Sequence, residues 1–257
     1  MSRIIRNIGL SFLFIFSIFF TDYLPAQSDS AESLVSKTDE VFSRRNGLYT
    51  GRIKHIKMDE SFFILDFYAK ISGNKSLLSF QNKPRGLQLE VLNLLAGEKI
   101  YVCEMHARNY ILKSGSDRYY DVMYTNFTYA DFSGRELSKA YTSKIAGEES
   151  VGARLCHMLR LDPIFPWSAY GSLMLFVDKE DMIPLKIEFR NVSQILTKVL
   201  TVTKVARKNN QVVPIRYEMR DIRNGSLTIL VLNEHDARQK YDDSIFLLEN
   251  FGNLVKP

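Results

Sequence analysis

The sequence has few of the residues from which catalytic and metal sites are built. Its 257 residues include four histidines and two cysteines, and no histidine has the spacing of a zinc-binding motif. A GxSxG motif, a glycine-rich phosphate loop and a calcium-binding loop are also missing. A triad assembled from distant residues stays open, because spacing alone does not exclude one. The sequence therefore predicts no catalytic residue, no metal site and no cofactor.

The two cysteines belong to no CxxC or zinc-like motif. An oxidising compartment would allow a disulfide between Cys103 and Cys156, but the sequence does not show that they meet. We expect two buried, unpaired thiols that pack as small apolar side chains.

Clustered charge and flexible linkers are missing as well. The net charge is +5, and the lysines and arginines are dispersed, unlike those of a nucleic-acid-binding protein. The weak positive field still favours an acidic partner or an anionic membrane surface. The 13 glycines and 7 prolines form no linker. One domain is the simplest organisation, and we expect a monomer.

The amino terminus carries the one long apolar run. Arg3 and Arg6 precede an apolar stretch at residues 8–20, and Ala26 offers a cleavage point. This layout predicts a secretory signal peptide over residues 1–26, followed by a single mature domain over residues 27–257. The run is shorter than the roughly 20 residues that a membrane-spanning helix needs. An uncleaved amino-terminal anchor is the alternative.

Most of the mature chain alternates apolar and polar residues, the pattern of strands with one buried face. We count about ten antiparallel strands, and Asn224-Gly225 is the strongest hairpin signal. A sheet of that size must curl or close. Helical patterns cover only residues 30–45 and a segment around residues 130–140. The predicted fold is therefore mainly β, an unclosed antiparallel barrel with short helices over its concave apolar face.

Two short helices are too small to fill such a concave face, so an apolar cavity is expected. Cavities of this kind bind apolar ligands. The strand patterns predict that the following side chains line it: Phe63, Leu65, Phe67, Leu87, Leu89, Val91, Leu173 and Leu175.

Six phrases occur in an order that resembles a known family. They are AESLVSKTDEVFSRRN, NKPRGLQLEVL, GEKIYVCEM, NFTYADFSGREL, LFVDKEDMIPLKIEF and YDDSIFLLENF. In this order they resemble a branch of the LolA-like outer-membrane lipoprotein-sorting proteins. The resemblance implies a periplasmic carrier that holds the acyl chains of lipoproteins, or of other lipids, in its cavity. It also implies an inner-membrane donor transporter, an outer-membrane acceptor and no cofactor.

The family uses an arginine before a proline to control its helical lid. In the matching phrase here, NKPRG, Lys83 precedes the proline and Arg85 follows it. Arg85 is the candidate for lid control, although here the arginine follows the proline instead of preceding it.

The segment NFTYADFSGREL, residues 126–137, crowds aromatic side chains into a short polar stretch. We expect Asp131 or Ser133 to cap a short helix in it. Two roles are open, a lid over the cavity or plain anchoring of a loop to the sheet. The candidates for the lid or plug are Phe127, Phe132 and Leu137, which we expect to turn inwards, and Tyr129, which we expect at the cavity rim.

Two other functions compete with the carrier. A sensor that binds an acyl chain or a misfolded protein and signals through a partner would use the same cavity. A lipid esterase is disfavoured by the missing nucleophile elbow.

Overall fold

A single antiparallel sheet of 13 strands makes up most of the structure. The computed structural model describes residues 29–42, 46–104, 109–208 and 211–251. The predicted signal peptide lies outside these residues. The strands are β1 (Gly47–Ile56), β2 (Phe62–Ser72), β3 (Lys75–Asn82), β4 (Leu87–Leu94), β5 (Lys99–Glu104), β6 (Tyr110–Lys113), β7 (Tyr141–Val151), β8 (Arg154–Pro163), β9 (Ser172–Asp178), β10 (Pro184–Arg190), β11 (Leu196–Lys208), β12 (Gln211–Asp221) and β13 (Leu227–Asp236).

The order of the strands across the sheet is β6-β5-β4-β3-β2-β1-β13-β12-β11-β10-β9-β8-β7. Two meanders, β1 to β6 and β7 to β13, are joined where β1 pairs with β13. In the described part of the chain β6 and β7 form the two edges, so the barrel is unclosed. The mainly-β prediction is confirmed, with 13 strands rather than about ten.

The difference in strand number has a physical cause. β2 buries every second residue from Leu65 to Ile71, so its alternation is plain in the sequence. Most of β7 is exposed on both faces, and β6 is a short, exposed edge strand. Strands that bury little carry little hydrophobic alternation, so the pattern underestimates their number.

A bulge in β13 interrupts its pairing with β1 at the junction of the two meanders. The pairing of β1 with β13 shifts register between Thr50 and Gly51. A Cβ atom at Gly51 would lie 2.6 Å from the carbonyl oxygen of Val231. Only glycine allows the two backbones to approach this closely.

Two helices lie over the concave face. Helix α1 (Ala31–Phe42) buries Leu34 and Val35 in the core of that face. The amide of Ser33 donates to Ser30 Oγ at 3.2 Å, which caps the first turn. The predicted helix at residues 130–140 is reduced to α2 (Leu137–Ala140).

The expected cap of the second helix is wrong. Asp131 Oδ2 accepts from the amide of Thr128 at 2.7 Å and so stabilises a turn before the helix. The cap comes from α1, where Asp39 accepts from the amides of Leu137 and Ser138 at 2.9 Å each. The two helices are therefore tied to each other.

The opposite, convex face is covered by the carboxy-terminal segment, residues 241–251. Asp242 accepts from the amide of Ser244 at 2.8 Å and caps a turn. Phe246 and Phe251 then pack on the convex face beside Leu77, Leu92 and Cys103. This segment anchors the chain to the outside of the barrel, away from the cavity.

The expectation of unpaired cysteines is confirmed: Cys103 and Cys156 are free and buried in separate clusters of the convex face. Burial raises the pKa of both thiols. We expect a maleimide reagent to label two thiols per chain after denaturation without reductant, and to label the native protein far more slowly. Mass spectrometry gives the count, and an unlabelled denatured chain would mean that a disulfide forms.

Candidate functional site

A cavity of about 1240 Å³ lies between the concave face of the sheet and the segments above it. The roof consists of α1 and residues 118–141, with the loop at residues 163–170 on one side. Apolar side chains from both meanders form most of the wall: Phe67, Ala69, Ile71, Leu173, Ile187, Phe189, Leu200, Tyr217, Met219, Leu230 and Leu232.

The structure places only Phe67 and Leu173 of the eight predicted wall residues on the cavity surface. Phe63 packs beside the His55 ring, with the ring centroids 5.0 Å apart. Leu87 stands at the first position of β4 and is 43% exposed. The remaining four are buried in the concave core, where neighbouring side chains fill the space: Leu65, Leu89, Val91 and Leu175.

The observed cavity wall differs from the predicted one because residues 126–137 fill part of the concave face. The Phe132 ring lies 5.1 Å from Phe80, 5.4 Å from Phe127 and 5.8 Å from Phe67, measured between centroids. Phe132 is 4% exposed. These four rings form an aromatic plug that separates the filled side of the barrel from the open cavity. Phe127, Phe132 and Leu137 also line the cavity.

Hydrogen bonds hold the first residue of this segment. Asn126 Nδ2 donates to the carbonyl oxygens of Met219 and Ser226 at 2.9 and 3.1 Å. Its Oδ1 accepts from Ser226 Oγ at 2.8 Å, and its backbone amide donates to Thr228 Oγ1 at 2.9 Å. Lys198 Nζ donates to its carbonyl oxygen at 2.8 Å. Asn126 thus fixes the segment to the hairpin of β12 and β13.

A second anchor holds the segment from the other meander. Asn93 Nδ2 on β4 donates to the carbonyl oxygen of Phe132 at 3.1 Å. Gly97, in the turn after β4, has φ of 80°, and a Cβ atom there would lie 2.6 Å from Ser133 Cβ. Residues 126–137 are therefore bound to both halves of the barrel.

Two candidates from the sequence lie away from the cavity wall. Tyr129 is 7% exposed and has the ammonium group of Lys113 over its ring, instead of standing at the rim. Burial raises the pKa of Tyr129 to about 12. Arg85 is exposed in the turn before β4, while Lys83 forms an ion pair with Asp66 at 2.8 Å. Arg85 therefore lies away from the helices over the cavity.

Three tyrosines form a polar part of the wall beside the roof. Tyr119 packs edge-on against Tyr170, with centroids 5.1 Å apart, and donates to Ser168 Oγ at 3.2 Å. Tyr141 stands nearby on β7. Burial raises the pKa of all three hydroxyls. They present uncharged hydrogen-bonding groups next to the apolar part of the lining.

Four further residues at the cavity are not predicted from the sequence pattern. The guanidinium carbon of Arg118 lies 5.5 Å from the Trp167 ring centroid, and that of Arg135 lies 4.2 Å from Phe165. The two rings are stacked 4.8 Å apart. The one signal in the sequence is its single tryptophan, next to a proline between strands. We call these four residues the arginine–aromatic cluster.

The buried histidine, another candidate for chemistry, has a structural partner. His55 is buried, and its Nδ1 lies 2.9 Å from Thr228 Oγ1. Burial lowers the pKa of His55. Among the described residues no three His, Cys, Asp or Glu side chains are placed to hold a metal ion. The same part of the chain contains no helix long and apolar enough to cross a membrane.

Comparison with known proteins gives one family and a group of similar structures. A family model described as an uncharacterized protein matches residues 74–253. No curated protein matches the chain.

Three solved structures share the fold. A DUF1329 family protein from Desulfovibrio piger has a TM-score of 0.75 at 17% identity, over 85% of this chain and 96% of its own. A domain named for outer membrane lipoprotein sorting, from Vibrio parahaemolyticus, has a TM-score of 0.74 at 17% identity, over 86% of this chain and 99% of its own. A LolA superfamily protein from Nitrosomonas europaea has a TM-score of 0.72 at 20% identity, over 87% of this chain and 100% of its own.

Proposed function

Since the chain belongs to a family described as an uncharacterized protein and shares its fold with a LolA superfamily protein, we propose that it is a lipid carrier of the periplasm. It binds the acyl chains of lipoproteins or other lipids in its cavity and moves them towards the outer membrane. Residues 1–26 direct its export and are then removed. An inner-membrane transporter supplies the cargo and an outer-membrane acceptor receives it.

The apolar cavity carries this proposal. An acyl chain gains about 0.8 kcal/mol for each methylene that leaves water. A chain of about 16 carbons therefore gains on the order of 10 kcal/mol before the costs of ordering it. The wall offers aliphatic and aromatic side chains from six strands, β2 and β9 to β13.

The size of the cavity favours a lipid over a small metabolite. Pockets for drug-sized ligands measure roughly 300–1,000 Å³, and this cavity, at about 1240 Å³, is larger. A long chain, or more than one, fits this space better than a compact polar molecule would.

A charge on the wall tests the proposal. Leu232 lines the cavity from β13 and is only partly buried, so a glutamate there is tolerated by the fold. We expect Leu232→Glu to weaken binding of a pyrene-labelled fatty alcohol by at least about tenfold, because an unpaired charge in an apolar site is costly. The probe is uncharged, so the glutamate acts through the wall and not by repelling the ligand. Fluorescence titration measures the affinity.

The neighbouring residue supplies a matched control. Val231 faces the other side of β13, between Arg52 and Arg216 on the flanking strands. Val231→Glu should bind the alcohol as the wild-type protein does. Equal affinity of Leu232→Glu and the wild type would show that the cavity is not the binding site.

Transfer separates a carrier from its rivals. A carrier should speed the movement of a labelled lipid between donor and acceptor vesicles, whereas a sensor binds without speeding transfer. Cleavage of a lipid ester by the wild-type protein, abolished by a serine or histidine substitution, would replace the carrier by an enzyme.

A further inference from the structure

The arginine–aromatic cluster brings two cations to the cavity, and no described residue forms an ion pair with either. Arg118 is 7% exposed. Its guanidinium donates to the carbonyl oxygen of Gly97 through Nη2, and its buried Nε has no hydrogen-bond partner among the residues that the structure describes. In the described part of the chain neither Arg118 nor Arg135 has a carboxylate oxygen within 4.0 Å.

The acids near the cluster are engaged elsewhere. Glu136 forms an ion pair with Lys139 at 2.8 Å. Asp39 accepts the two amides that begin α2. Asp131 accepts from the amide of Thr128 at 2.7 Å. Glu98 influences Arg118 through space but forms no ion pair with it among the described residues. The positive charge at this end of the cavity is therefore not neutralised by direct contact.

We infer that the cargo is an amphiphile with an anionic end, whose carboxylate or phosphate group binds Arg118 and Arg135 while its acyl chain lies along the apolar wall. The inference rests on the proposed function and adds the charge and the orientation of the ligand.

Burial gives the reason that an anion is favoured here. Taking a guanidinium out of water is costly unless it is paired. Burial and then the charge of Arg135 lower the pKa of Arg118, so the charged form of Arg118 is disfavoured while no anion is bound. An anion bound to Arg118 and Arg135 offsets these effects and accepts charge-assisted hydrogen bonds in the planar geometry that guanidinium groups favour.

The aromatic pair holds the guanidinium groups in place for this contact. Arg135 lies over Phe165 and Arg118 over Trp167, and both rings belong to the loop between β8 and β9. Cations over aromatic faces are attracted to them without losing their hydrogen-bond donors. The cluster is thus ordered before the ligand arrives.

The first test compares two ligands with the same chain. Palmitate should bind the wild-type protein at least about tenfold more tightly than hexadecanol, since hydrogen bonds to charged groups are strong. The variant Arg118→Gln/Arg135→Gln should lose that preference and bind hexadecanol as before. Arg135→Gln alone, at a half-buried site, should lose part of it and serves if the double variant does not fold. Arg85→Gln, an exposed arginine away from the cavity, is the control and should change nothing.

The single tryptophan provides a second readout of orientation. A bromine atom quenches indole fluorescence at short range, so α-bromopalmitate should quench Trp167 strongly and ω-bromopalmitate weakly. Equal quenching by the two would overturn the orientation. Inorganic phosphate alone should leave the fluorescence of Trp167 unchanged. A change in this fluorescence with phosphate as large as the change with palmitate would mean a site for free anions rather than for a headgroup.

The outcomes keep the two proposals apart. Tight binding of both ligands with no preference for palmitate, unchanged by the arginine substitutions, refutes the headgroup site and leaves the carrier intact. Failure of the wild-type protein to bind either ligand refutes the carrier itself.

Discussion

Replacement of Phe132 by alanine is expected to lower the free energy of unfolding by about 3–5 kcal/mol, the usual cost of removing a buried aromatic ring. Phe132 is 4% exposed and contacts three other phenylalanines. Its carbonyl oxygen is fixed by Asn93. The segment is therefore too firmly held to collapse into the space that the ring leaves. Urea unfolding followed by circular dichroism measures the change.

An exposed phenylalanine serves as the control. Phe62 is 58% exposed on β2, so Phe62→Ala should change the unfolding free energy by less than about 1 kcal/mol. A similarly small effect for Phe132→Ala would mean that residues 126–137 are not packed as described. They would then act as a loosely held lid, and the substitution would change ligand release more than stability.

Asn126→Ala should lower the free energy of unfolding by about 3 kcal/mol. The substitution removes three side-chain hydrogen bonds, two to backbone carbonyls and one from Ser226 Oγ. Asn126 is buried, and each buried polar group left unpaired costs about 1–3 kcal/mol. Partial compensation by the remaining partners keeps the total below the sum. The same unfolding measurement applies.

A double-mutant cycle makes this prediction specific. Ser226→Ala removes only one of the hydrogen bonds of Asn126, together with the contact of Ser226 Oγ with Asn224 Oδ1 at 2.7 Å, so its effect should be about 1 kcal/mol. The double variant should be less destabilised than the sum of the two single variants, because they share the bond from Ser226 Oγ to Asn126 Oδ1. Strict additivity would show that this contact does not contribute to stability.

The sequence predicts the sheet well where strands bury one face, and poorly where they do not. β2 was recognised from its alternation, and the hairpin at Asn224-Gly225 connects β12 and β13 as expected. β7 buries too little for its pattern to be read. Local alternation reports burial, and it contains no information on a strand that stays in water.

The cavity wall was harder to predict than the sheet. Ile187 and Phe189 alternate with polar residues along the sequence, as do Tyr217 and Met219, and this pattern assigns all four to inward faces. It does not show which part of the concave face stays empty. That depends on contacts such as the one between Phe132 and Phe80, which are distant in the sequence. The same holds for Arg118 and Trp167, which the fold alone brings together.

The pairing of β1 with β13 has a consequence for how the molecule is assembled. Each meander is built from strands adjacent in sequence, so each can form by successive hairpins with short loop closures. The ladder between β1 and β13 instead joins strands about 180 positions apart, and contacts this distant slow folding. The concave surface is complete only when this seam closes. A chain that is still emerging, amino terminus first, therefore has no complete cavity until β13 is available to pair with β1.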